Sequence, residues 1–399
     1  MAHIRNTRLR NLYEEAEFDR EHEEVKEIEE TVRNLVQEIA ESIAEKDPLF
    51  RTTVLRSGSF YEDLKVEGPN EFDFMFCLEE LSKIGVCEVK EIPFRSVPDP
   101  GYVHVQVPHP FHEKRWKKYI SKTKKLKPKT LLEKFETLVR EALTEKSNDF
   151  HPKLDQHSFT IELRKIPVTL KLVWNGTKYK HYEISIDLVL CIKVGGWPKD
   201  SDLHTRFNRS HPGFEVINEV TEMGYHLIAS CIGESGARRP CWRLSFSKAE
   251  GVLLKHVCRN STLMHKATVK ILKVVRKNNE STLVLEEEDD DALDSMILSG
   301  ASGISYLISW GFHSYVIKTM FLHEWFERPE DSYWTQDRLA ERIRSILKRI
   351  HNSIRGKDIR SFWLPEYKLF NFRARRRTRT NKAENTVSSL IKQFDEVTV

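Results

Sequence analysis

The chain has 399 residues, of which 31% are charged and 39% hydrophobic, with a net charge of +4 and a mean hydropathy of -0.51. No stretch approaches the roughly 20 apolar residues of a spanning helix, so no membrane span is expected. Six cysteines (77, 87, 191, 231, 241 and 258) are scattered without a CxxC pair, and the first ten residues are basic and polar. Both features argue against a disulfide framework and for a reducing, cytoplasmic setting.

Between residues 21 and 46, Val25, Ile28, Val32, Leu35, Val36, Ile39 and Ile43 recur at steps of three and four, predicting one long amphipathic helix that Pro48 helps to stop. A short β-prone run at 52–55 leads into the turn Arg56-Ser57-Gly58-Ser59. Residues 70–78 (NEFDFMFCL) alternate, so Phe72, Phe74, Phe76 and Leu78 share one face of a strand while Glu71 and Asp73 share the other. A further strand is expected at 102–107 and a helix at 130–145. Runs 168–174 and 179–194 flank Asn175-Gly176, which reads as a hairpin. Beyond about residue 205 the texture is helical, with helices expected near 246–257, 263–277, 306–326 and 335–354.

Charge is segregated along the chain. Residues 114–129 (KRWKKYISKTKKLKPK) and 373–382 (RARRRTRTNK) carry no acid, while 286–294 (EEEDDDALD) reads as an exposed acidic loop. Separated basic blocks suggest a polyanionic partner. Lys114, Arg115, Lys117, Lys118, Lys122, Lys124 and Lys125 are the candidate nucleic-acid contacts.

Three acids can do chemistry. Glu71 and Asp73, two apart on a strand, project together about 7 Å apart. Such a pair repels unless a cation sits between, and hard Mg²⁺ or Mn²⁺ with oxygen ligands is the usual answer. Asp187 lies in an apolar strand, ISIDLVL, where a carboxylate needs a partner. Gly58 and Ser59 at a strand-to-helix turn suit phosphate.

Gly-Ser, then Glu-x-Asp, then a distant strand Asp is the pattern of polymerase-β-type nucleotidyltransferases. The flanking text, GSFYE with PNEFDFMF, then WRLSFS, SYVIKT and LPEYKLF, resembles the animal cyclic GMP-AMP synthase and its zinc-thumb-less, double-stranded-RNA-sensing receptors over nearly the whole chain. The resemblance implies an α+β, bilobed fold: a core with a mixed β-sheet and long spine helix at 1–205, a helical lobe at 206–372, and a basic, flexible tail at 373–399. It implies Mg²⁺ or Mn²⁺ on Glu71, Asp73 and Asp187, and nucleotide contacts from Gly58, Ser59, Arg243, Ser245, Ser247, Lys270, Ser314 and Tyr315. Trp242, Phe246 and Phe321 are expected in the core instead. The implied reaction joins ATP and GTP into a cyclic dinucleotide in innate immune sensing, with double-stranded RNA preferred over DNA as activator and room for a homodimer on it. The family's zinc thumb needs a His and three Cys. Here 254–262 offers only His256 and Cys258, so no structural zinc is expected. The basic positions of the spine helix and the block at 114–129 are the expected grip on a duplex. A catalytically silent scaffold and a template-independent RNA nucleotidyltransferase are the alternatives.

Overall fold

A computed structural model describes residues 4–92, 101–146, 151–155, 160–162, 167–199, 201–232, 239–279, 314–356, 358–369 and 377–395. The acidic loop at 286–294 and residues 306–313 of one expected helix lie outside these. The described strands are β1 (Thr52–Ser57), β2 (Glu71–Leu78), β3 (Glu88–Glu91), β4 (Tyr102–Gln106), β5 (Thr160–Glu162), β6 (Val168–Trp174), β7 (Tyr182–Val194), β8 (Tyr225–Ile232) and β9 (Arg239–Ser245). They form one mixed sheet in the order β1-β2-β7-β8-β9-β4-β3, with β5 and β6 joined through β6 to β7. Among the described pairings only β2 and β7 run parallel.

The predicted alternation of β2 holds. Phe72, Phe74, Phe76 and Leu78 are buried, and they share one apolar core with the spine helix Glu23–Lys46 and the helix Pro128–Lys146. Val25, Ile28, Val32, Val36, Ile39 and Ile43 supply the helix's stripe. Each such buried side chain contributes on the order of 1.5–3 kcal/mol. The opposite face of the sheet holds a smaller cluster of Met75, Cys77, Val189, Cys191 and Ile228.

Four strands were not expected, the short β3 and β5 and the longer β8 and β9. β8 and β9 continue the sheet beyond residue 205, so a boundary there cuts through the sheet rather than around it. Residues 225–230 of β8 are buried on both faces, so the strand shows no alternation with a period of two. Nor is the Asn175-Gly176 turn a two-residue hairpin, because pairing between β6 and β7 closes at Trp174 and Tyr182.

The wider loop has a specific anchor. The buried Glu24 carboxylate accepts from Trp174 Nε1 (2.9 Å) and from the backbone N–H groups of Lys178 (2.7 Å) and Tyr179 (3.2 Å). These donors hold the carboxylate below its usual range even though burial pushes the other way. A Cβ on Gly176 would stand 1.5 Å from Glu24 Oε1, so glycine there permits the clamp. Glu24→Ala strands three buried donors, and a loss of about 2–4 kcal/mol is expected from denaturant midpoints.

Beyond β9 the described residues are helical as expected, with helices Ser247–Val257, His265–Asn278, Ser314–Glu327 and Leu339–Gly356. Glu324, fully buried, knits the last two together by accepting from Arg342 (2.6 Å), Arg349 (2.7 Å) and Arg328 (2.9 Å). The expected flexible tail is a correction. Arg377–Asp395 is a helix packed on Leu339–Gly356, with Ala383, Val387, Leu390 and Phe394 buried. That apolar spacing follows directly after the basic run, which dominated the composition.

Candidate active site

β2 and β7 lie side by side with Asp73 opposite Asp187 and Glu71 opposite Ser185. Neighbours in register point to the same face, and so do residues two apart on one strand. Glu71, Asp73 and Asp187 therefore converge from positions as far as 116 residues apart in the chain. β6 adds Thr169 opposite Asp187, and its hydroxyl donates to Asp187 Oδ1 at 2.6 Å. Lys65 donates to Glu71 Oε2 at 2.6 Å.

The turn out of β1 covers this cluster. Gly58 has φ of +79°, and a Cβ there would stand 1.8 Å from Asp73 Oδ2. Ser59 follows in the short helix Gly58–Tyr61, its carbonyl accepting from Leu64 N at 2.9 Å.

Electrostatics leave Asp73, but not Glu71, short of positive charge. Burial, then the charges of Glu71 and Glu62, pushes Asp73 up to about 8. Glu71 is held low: burial opposes its ionisation, but the ammonium of Lys65 beside it outweighs that. A pocket that leaves one of its carboxyls protonated near neutrality, with oxygen donors alone, fits a hard divalent cation such as Mg²⁺ or Mn²⁺.

Cations ring the acids. Lys318 donates to Glu62 (3.0 and 3.1 Å) and to Glu250 (3.2 Å). Burial disfavours its charge, yet those two carboxylates hold it above the ordinary lysine value. Lys273 donates to the Leu64 carbonyl at 2.7 Å, and burial, with Lys318 adding repulsion, pushes it down to about 7. The Lys270 ammonium bonds both oxygens of Glu17 at 2.9 Å. Lys273, three residues on, is the one in electrostatic reach of Glu71. Sequence reading missed Lys65, Lys273 and Lys318; their only signal was lysine at apolar helical positions or beside the acid strand.

Arg243 and Ser245 stand on the same sheet face as the acids, because Ile228 pairs with both Cys191 and Arg243. Arg243 Nε is buried with no hydrogen-bond partner, leaving it able to donate. Ser245 and Ser247 share a hydroxyl hydrogen bond at 3.1 Å. Tyr315, next to Ser314 at the start of its helix, neighbours Glu250 and Arg243. Trp242, Phe246 and Phe321 are buried in the core, as expected.

The basic block lies elsewhere. Arg115 pairs with Glu80 (2.9 Å), just beyond β2, with about 17 Å of strand between Asp73 and Leu78. Trp116 and Tyr119 anchor the block in the core, while Lys114, Lys117, Lys118 and Lys122 are exposed without an acidic partner among the described residues. Lys124 pairs with Glu113 (2.9 Å), and Lys125 is half-buried. The spine helix is a second correction. Its eight acids outnumber Lys26, Arg33 and Lys46, and all three bases are ion-paired, so its outer face repels a polyanion.

Comparison with known proteins agrees with this layout. The model described as "Mab-21 protein nucleotidyltransferase domain" matches residues 60–256, and "Mab-21 protein HhH/H2TH-like domain" matches 307–389. Over 371 residues the chain is 24% identical to cyclic GMP-AMP synthase of Mus musculus, covering 87% of this chain and 62% of that protein. Over 377 residues it is 23% identical to cyclic GMP-AMP synthase of Sus scrofa, covering 91% of this chain and 67% of that protein. Among the described residues no helix is long and apolar enough to cross a membrane.

Proposed function

Because the chain belongs to the cyclic GMP-AMP synthase-like Mab-21 family of nucleotidyltransferases, we propose that it joins two nucleoside triphosphates, ATP and GTP, into a cyclic dinucleotide, releasing pyrophosphate. The observation that carries this reading is the register of Asp73 against Asp187 on adjacent parallel strands, with Glu71 on the same face. These three would hold Mg²⁺ or Mn²⁺. Such cations, when bound, make a ribose hydroxyl more acidic and neutralise the leaving pyrophosphate. The chain's own groups position the reactants. Lys65, Lys273 and Lys318 offer positive charge to the triphosphate, with Ser59 as a hydroxyl donor beside Asp73. Arg243, with Ser245 and Ser247, offers donors to a base edge, and Tyr315 a ring on which a base stacks, with Ser314 beside it.

Double-stranded RNA is the proposed activator, and innate immune sensing in the cytoplasm the setting. An A-form duplex is gripped by shape and phosphate contacts, which suits an exposed, sequence-blind row of lysines. The row's distance from the acids means that RNA acts on the site indirectly, through the strand and turn that carry Asp73 and Gly58. Purified protein with ATP, GTP, Mg²⁺ and long double-stranded RNA is expected to yield a cyclic product and pyrophosphate. No product across a panel of RNA and DNA polyanions would overturn this, and extended 3′ tails on RNA would select the RNA nucleotidyltransferase instead.

Replacing Lys114, Lys117, Lys118 and Lys122 together by Glu is expected to abolish RNA stimulation while leaving basal turnover unchanged. Binding isotherms across salt should show the slope of log affinity against log salt flattening, by about 0.7–0.9 per lost phosphate contact.

A further inference from the structure

We propose that Cys77, Cys191 and His226 form a binding site for a thiophilic d¹⁰ metal ion, Zn²⁺ or Cu⁺, inside the sheet and separate from the carboxylate site. Cys77 of β2 and Cys191 of β7 are register partners, and β8 brings His226 beside them from the other side of β7. One ligand atom from each lies within 4.8 Å of the others. Ligand atoms around a tetrahedral Zn²⁺ are about 3.5–3.8 Å apart, from Zn–S near 2.3 Å and Zn–N near 2.0–2.1 Å. Small side-chain rotations therefore bring the three donors to that spacing, and Zn²⁺ would take water as its fourth ligand.

A second observation points to a ligand. His226 is only 4% exposed, yet its ring nitrogens have no hydrogen-bond partner apart from the Cys77 thiol of the same cluster. A buried imidazole in that state costs free energy that coordination would offset. The donors also separate the two metals by type: thiolate and imidazole select Zn²⁺ and Cu⁺, whereas the carboxylates select Mg²⁺ or Mn²⁺.

Cys77 lies four residues beyond Asp73, and Cys191 four beyond Asp187, about 13 Å along the same sheet face. A bound ion would staple β2, β7 and β8, thereby fixing the register that brings the acids together. The set replaces nothing in the 254–262 interval, and it departs from the expectation of a zinc-free chain. Separations of 114 and 35 residues between the donors hide it from any spacing rule.

The test is made on the full chain. The protein purified without chelator is expected to carry close to one equivalent of zinc or copper by elemental analysis, the ion found identifying which. Metal-stripped protein titrated with Co²⁺ is expected to develop thiolate-to-cobalt charge-transfer absorption saturating at one equivalent. Cys77→Ser should abolish that band, His226→Ala should weaken the binding at least tenfold, and Cys258→Ser should leave it intact. Cobalt on the carboxylates gives no thiolate band, so the readout is independent of turnover. Should Cys77→Ser fail to fold, the wild-type titration still decides. Absence of the band and of any retained zinc or copper overturns the proposal, as does a Cys77–Cys191 disulfide found by mass spectrometry in protein purified under reducing conditions.

Discussion

Asp73→Asn is expected to remove nucleotide turnover, by about 10³-fold or more, while leaving the protein at least as stable as the wild type. Loss of a single preorganised electrostatic contact in an active site typically costs 10²–10³ in rate. Asp73 stands between Glu71 and Asp187 in the set that would hold the cation, so its loss should meet or exceed the upper end. Stability moves the other way for a clear reason. Burial beside Glu71 and Glu62 already drives Asp73 toward its neutral form, pushing it up to about 8. A neutral amide of the same shape removes that repulsion. Product formation with ATP, GTP, Mg²⁺ and RNA, measured alongside the thermal midpoint, checks both halves. Turnover that survives the substitution would remove Asp73 from the chemistry; a marked fall in the midpoint would make it a structural acid.

Gly58→Ala is expected to abolish turnover through geometry rather than charge. The left-handed backbone at φ +79° costs any L side chain about 1–2 kcal/mol. More damaging, the new methyl would stand 1.8 Å from Asp73 Oδ2 and 2.5 Å from its Cγ, so either the strand's carboxylate or the whole turn must move. Gly85 provides the control. Its φ is +80°, but nothing lies within 4 Å of a Cβ there. Gly85→Ala should therefore show the backbone cost in a melting curve and leave turnover intact. Equal activity losses in the two variants would show that backbone strain alone, and not the contact with Asp73, explains the glycine.

Local signals were legible where a window of a few residues holds the whole pattern. The aromatic face of β2, the pairing of Glu71 with Asp73 on the other face, the stripe of the spine helix and the Gly58-Ser59 turn all repeat at periods of two or between three and four. Burial on one side of an element imposes such periods directly. Where burial is two-sided, the period vanishes, and β8 was lost for that reason. Composition misled at residues 373–382, where arginines masked the apolar spacing that docks the C-terminal helix.

The amino-acid order thus determined which side chains share a face of one helix or one strand, because that depends on backbone geometry over a few bonds. Only the tertiary structure decided which faces meet. Strand register set Asp73 against Asp187 and Cys77 against Cys191, and the pairing of Lys270 with Glu17 left Lys273 to face the acids. The same packing drew His226 to two distant thiols and set the exposed lysines beyond the far end of β2. Register and packing are chosen by the burial of the whole core at once, a sum over residues remote in the chain, which no short stretch of sequence contains.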